Sequence, residues 1–196
     1  MIKVLGICAS PRKAGNSELI LDSFLEGAMS AGRCSVKKIF LSDLEIKFCR
    51  ENECCHKTGE CGMDDDMRLI YNGIDDADVV AIAAPVYFGN IPAQLKLVVD
   101  RFQPHWIKKE VLKKPPLTEK KRAGVFLCVS GAGREDFFRN SRQVLKNLFA
   151  VLGIKYYGEV YCGGVDAKGE IKRKKNFMNK SHTLGKRLIK TLQNKK

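Results

Sequence analysis

Three short segments of this 196-residue chain combine residue types suited to holding a phosphate beside a planar ring. The first reads Ala9-Ser10-Pro11-Arg12-Lys13-Ala14-Gly15-Asn16-Ser17. It offers the hydroxyls of Ser10 and Ser17, the amide of Asn16, the guanidinium of Arg12 with Lys13 beside it, and Gly15 for a tight turn. Where such a loop opens a helix, unpaired N–H groups and the positive end of the helix dipole make a phosphate site. Its spacing is neither G-x-x-x-x-G-K-[ST] nor G-x-G-x-x-G, which disfavours a Walker nucleotide site and a dinucleotide Rossmann site. An ordinary capped strand-to-helix turn is the plainer reading of the same residues.

The second segment, Pro85-Val86-Tyr87-Phe88-Gly89-Asn90, sets two aromatics beside a glycine. Such a pair can wall or stack on a flat ring, or simply cover a sheet edge. The third, Ser130-Gly131-Ala132-Gly133, is small enough for a heterocycle to lie over it. A fourth segment carries different chemistry: Cys49, Cys54, Cys55 and Cys61, with His56 among them. Four thiolates suit an iron–sulfur cluster, and thiolates with an imidazole suit zinc. Free thiols are the remaining reading. Asp64-Asp65-Asp66 reads as the cap of a following helix, with Asp66 at the cap, rather than as a metal site.

The elements around these segments alternate between strand and helix. Ile2–Cys8 is a short apolar run of the kind buried on both faces of a parallel sheet, and it reads as a first strand rather than a signal peptide. A helical stripe follows over Ser17–Ala31, capped by Asn16 or Ser17. Further strands are expected over Ser35–Leu41, Ala77–Ala84, Arg122–Ser130 and Ile154–Cys162. Helices are expected from Asp66 to Asp75, Pro92 to Arg101, Phe137 to Leu152 and Phe177 to Leu192. Pro104–Lys121 reads as a polar excursion. Five strands separated by helices imply an α/β, flavodoxin-like, doubly wound five-stranded parallel sheet of order 2-1-3-4-5, with helices on both faces. Ligands of such sheets bind beyond the carboxyl ends of the strands, where the first three segments fall. One domain over 1–196 is expected, with a cysteine-containing insertion at about 42–66 and a basic C-terminal helix at about 172–196.

Composition narrows the class. Hydrophobic residues make up 44% of the chain, enough for a sizeable core, and no apolar run reaches the length of a membrane span. The eight cysteines in a chain of this length and pattern read as reduced thiols or metal ligands, not disulfides. Formal net charge is +13. The last 29 residues, from Lys168, carry eleven basic residues and one acid, so the rest is nearly balanced. A solvated helix face explains that tail, and without an aromatic–basic platform or a DNA-reading motif a nucleic-acid partner is disfavoured.

Taken together, Ser10-Pro11-Arg12-x-x-Gly15-Asn16-Ser17, the cysteines running into Asp65-Asp66-Met67, and Ala84-Pro85-Val86-Tyr87-Phe88 with Lys96 and Asp100-Arg101 resemble the NAD(P)H-dependent FMN reductases. The resemblance is greatest to their iron–sulfur flavoprotein branch and its cluster-free relatives, and covers roughly residues 1–165. It implies an FMN phosphate on Ser10, Arg12, Asn16 and Ser17, and an isoalloxazine flanked by Pro85, Tyr87, Phe88, Gly89 and Asn90. Lys13, Gly15, Val86, Ser130, Gly131 and Gly133 fall on the same cofactor edge. The resemblance further implies NAD(P)H as electron donor, a small-molecule or protein acceptor, a homodimer or homotetramer, and a cytoplasmic, non-membrane protein. It assigns no acid–base pair. Aligning Cys49, Cys55 and Cys61 with the branch's cysteine motif places Asn52 where a further cysteine belongs, so a four-cysteine [4Fe–4S] cluster is not expected to form. A non-enzymatic iron–sulfur electron carrier is the alternative function.

Overall fold

A computed structural model describes residues 1–51, 53–114 and 120–194 of the chain. The strands are β1 (Ile2–Cys8), β2 (Cys34–Phe40), β3 (Val79–Pro85), β4 (Arg122–Ser130) and β5 (Ile154–Gly163). All pairings are parallel, in the order β2-β1-β3-β4-β5. The principal helices are α1 (Asn16–Met29), α3 (Met67–Asp76), α4 (Ala93–Asp100), α6 (Glu135–Val151) and α7 (Lys175–Gln193). Two short ones are α2 (Cys54–Thr58) and α5 (Gln103–Trp106), the latter running on into a π-helical turn over Ile107–Val111.

Alternation along the strands splits the core in two. Leu5, Ile7, Val80, Ile82, Phe126 and Cys128 face α3, α4 and α6. Ile2, Val4, Cys8, Ala81, Val125 and Leu127 face α1 and α7. Both faces of each central strand are apolar, which is why those strands read as continuous hydrophobic runs in the sequence. Helices α1 and α7 meet across reciprocal glycines: a Cβ on Gly27 would fall on the His182 carbonyl, and one on Gly185 on the carbonyl of Phe24.

Element ends shift by a residue or two from the expected ones, and three differences have physical causes. Asn16 is the first residue of α1, behind Gly15 as N-cap, and caps nothing. Before α3 the capping oxygen is that of Asp65, whose Oδ1 accepts from the Met67 N–H. Asp66 Oδ2 instead accepts from the Glu45 N–H across the loop. Finally, Pro104–Lys121 is not all excursion. It begins inside α5 and continues into the π-helical turn, because Pro104 and Ile107 find places in the core. Pro115–Glu119 of that stretch lies outside the described residues, as does Asn52.

Candidate functional site

Because the strands are parallel and in register, with Cys8 beside Ala83 and Pro85 beside Val129, β1, β3, β4 and β5 all end on one edge. The loops after them form a continuous rim.

The loop after β1 is a cradle. Ala14 takes the left-handed conformation (φ 54°), so the tight turn belongs to it and not to Gly15, which is extended. Gly15 contributes the lack of a side chain: a Cβ there would sit 2.7 Å from the Arg12 carbonyl oxygen. Leu19 N–H donates to Gly15 O at 3.0 Å, the first rung of the helix. The amides of Asn16, Ser17 and Glu18 therefore precede the helical ladder and point out of its start. Ser10 and Ser17 are buried beside them. Ser10 Oγ accepts from the Arg12 N–H at 3.2 Å. Glu18 Oε2 accepts from the Ala14 N–H at 2.6 Å. Burial would raise the Glu18 carboxyl, but that amide and Lys38, 3.1 Å away, hold it below its usual range. Glu18 is thus paired.

Asn16, expected on the phosphate, and Lys13, expected on the cofactor edge, are engaged elsewhere. Asn16 Nδ2 donates to Ala167 O at 3.0 Å, and its Oδ1 accepts from the Ile171 N–H at 3.1 Å. Lys13 Nζ lies 2.5 Å from Asp43 Oδ2 and over the Phe40 ring. Arg12 donates one N–H to Asp166 O at 3.1 Å, leaving most of its five donors for other partners. The segment Val165–Ile171 is thereby fastened across the loop, and its turn is closed by Glu170 Oε2 accepting from Asp166 and Ala167 N–H. No spacing rule flags this segment. The parallel topology does, since the chain leaving β5 must emerge on the ligand edge.

After β3, Tyr87 and Asn90 exchange backbone hydrogen bonds of 2.9 and 3.0 Å around Phe88 (φ 49°) and Gly89 (φ 75°). Two successive positive φ values make a type I′-like turn. Asn140 Nδ2 anchors it at Gly89 O, 3.2 Å away. Asn90 Oδ1 accepts from the following Ile91 N–H, and Val86 N–H donates to Val129 O. Phe88 is 109% exposed and Tyr87 41%. The loop after β4 is held from beneath: Tyr161 OH shares its proton between Ala132 O and Arg134 O, at 3.1 and 3.0 Å. Gly133 is open, with nothing near its Cβ direction.

The cysteines lie elsewhere. Cys49, Cys55 and Cys61 line one cavity of about 340 Å3 with His56, Met63 and Arg101. Cys54 is not among its walls. Arg101, 1% exposed, forms an ion pair with Asp65 (2% exposed) at 2.5 Å and donates to Lys47 O at 2.7 Å and Cys61 Sγ at 3.4 Å. Its Nε is buried and unpartnered. Among the described residues no three His, Cys, Asp or Glu side chains converge closely enough for a single metal ion, so the zinc set does not assemble. The other cysteines stand apart, with Cys8, Cys128 and Cys162 buried and Cys34 half-buried. Burial pushes the Cys8 thiol up to about 11, as suits a small core residue.

A 2-1-3-4-5 parallel sheet with helices on both faces and the loops after β1, β3 and β4 on one rim defines a flavodoxin-like α/β protein. The chain belongs to the NADPH-dependent FMN reductase family, which its residues 2–163 match. It is 37% identical over 131 residues to an iron–sulfur flavoprotein of Methanosarcina thermophila, covering 67% of this chain and 64% of that relative's length. It is 28% identical to an iron–sulfur flavoprotein of Methanocaldococcus jannaschii, over 98% of both chains. In fold it is similar to an FMN-dependent NADH-azoreductase from Bacillus anthracis in complex with FMN, with a TM-score of 0.71, 20% identity and coverage of 95% and 99%.

Proposed function

We propose that the chain is an FMN-dependent NAD(P)H oxidoreductase, passing electrons from a nicotinamide to a small-molecule or protein acceptor. The observation carrying this reading is the cradle: buried Ser10 and Ser17, open helix-start amides and a missing Cβ at Gly15, on the same rim as the loops after β3 and β4. These groups fit a phosphomonoester. FMN held there would supply the redox chemistry, taking up hydride equivalents and releasing electrons. The chain's own residues position and insulate. Ser10, Ser17, Arg12 and the amides hold the phosphate. Tyr87–Asn90 and Ser130–Gly133 bound the ring, and Asn16 braces the cradle from behind. Relatives named as iron–sulfur flavoproteins and a neighbour named as an FMN-dependent azoreductase support the reading. No helix among the described residues is long and apolar enough to cross a membrane, and we place the protein in the cytoplasm as a homodimer or homotetramer.

The test is flavin titration of apoprotein. Arg12→Ala removes a charge-assisted donor worth about 1.5–3 kcal/mol, or roughly one to two decades in affinity. FMN should weaken by that factor and riboflavin should not. Equal weakening of both would refute the phosphate assignment. Steady-state NAD(P)H oxidation with a small quinone separates this enzyme from a pure electron carrier, which would show none.

A further inference from the structure

The sheet ends on an outer strand that its own helices leave open. Among the described residues β5 has β4 on one side and no strand on the other. Its register slips once. Tyr156 stands opposite Gly124 and Gly158 opposite Val125, so Tyr157 is an extra residue, a bulge. Beyond it Gly158–Gly163 pair regularly with Val125–Ser130. The outward N–H and C=O groups of that regular run are a template for one more strand. A groove of about 550 Å3 lies along it, walled by α6 on one side and α7 on the other.

The two walls differ in charge. On the α6 side Glu159 is already neutralised, with Arg142 at 2.6 Å from one carboxylate oxygen and the Tyr156 hydroxyl donating to the other. The Phe138 and Tyr161 rings stack there, 4.6 Å apart, and Glu135 adds an acid. The α7 side presents one helical stripe of Asn176, Lys180, Thr183 and Arg187. Lys180 and Arg187 are exposed and lie over the rings of Phe177 and Tyr157. Among the described residues no carboxylate forms an ion pair with either. Side chains of a strand alternate between its two faces. A strand added to β5 would therefore turn every second side chain to the α7 cations and the others to the rings of the α6 wall. We propose that this groove docks an extended segment of a partner protein in which acidic and apolar residues alternate. The segment pairs with β5 as a sixth strand, its backbone supplying the affinity and its acids, on Lys180 and Arg187, the register. A second copy of this chain is the wrong occupant. Two-fold antiparallel pairing of β5 with itself would set α7 against α7, cations against cations, in a chain of net charge +13.

The probe is a fluorescein-labelled octapeptide of alternating glutamate and valine, titrated with the full chain and read by anisotropy. Saturable binding is expected. The double reversal Lys180→Glu/Arg187→Glu should weaken it about tenfold or more. The same change of charge at Lys37 and Lys57, both exposed and off the groove, should weaken it by less than about threefold. Melting temperatures of the two double variants report their folding. A peptide of the same sequence N-methylated at every residue keeps its charge, loses its ladder donors and should not bind the wild-type chain, a comparison that needs no variant. No saturable binding, equal weakening by the two double variants, or undiminished binding of the N-methylated peptide would each overturn the proposal. So would a change of the protein's mass in solution on the Lys180→Glu/Arg187→Glu reversal, which would make the groove a contact between copies.

Discussion

Arg101 heads the fully buried side chains of the described residues by volume, and its environment sets what a single substitution there does. A buried ion pair contributes little over an apolar pair, yet removing one partner strands the other charge at a cost of about 3–5 kcal/mol. Asp65→Asn should therefore destabilise the protein by that amount at pH 7, measured by urea unfolding; a loss under 1 kcal/mol would show the guanidinium finding another partner. The pH dependence follows from the same pair. Burial would raise the Asp65 carboxyl, but Arg101 and the Lys47 and Met67 amides hold it below its ordinary 3.8. A lowered folded-state value adds stability above the unfolded-state pKa, and that stability is lost as pH falls through the folded value. Wild type should thus lose stability on acidification below about pH 4 more steeply than Asp65→Asn. The sequence shows Asp65 as one of three consecutive acids, and nothing in their spacing says which of them turns inward.

At the scale of elements, the strands were legible because burial on both faces leaves an unbroken apolar run, as in Val79–Ala84. The helices were legible from their stripes, as in Ile20, Phe24 and Ala28 of α1. What escaped is what tertiary contacts decide. Pro104 and Ile107 draw a polar stretch into helix. Asn16, of a type that caps helices, spends both ends of its amide on a segment some 150 residues away. The rim loops were recognisable by composition, but the strap over the cradle was not. This gives a prediction that separates two roles for Asn16. Asn16→Ala leaves the Ile171 N–H buried without an acceptor, which costs about 1–3 kcal/mol. Apoprotein with no flavin present should lose that stability in chemical denaturation. A residue serving only the phosphate would leave the apoprotein unchanged.

Over the whole molecule, the two-sided core depends on how closely α1 and α7 approach. With the backbone of each helix against a glycine of the other, a side chain at either point must push them apart. Gly27→Val should cost at least about 1–3 kcal/mol, lowering Tm by about 2–4 °C per kcal/mol for a chain of this size. Deleting Asn194–Lys196, beyond the last turn of α7, should leave stability and flavin content as they are; a large loss of either would mean that the basic end closes on the rim. The same helix has a link to the opposite end of the molecule. The chain enters α7 through Ile171, whose amide hydrogen rests on Asn16 at the mouth of the cradle. That hydrogen exchanges with solvent only when the strap lifts. Deuterium uptake at Ile171 is therefore a clock for the cradle: an anion settling on the helix-start amides should slow it, and one backbone position would report occupancy without any absorbance from the ligand.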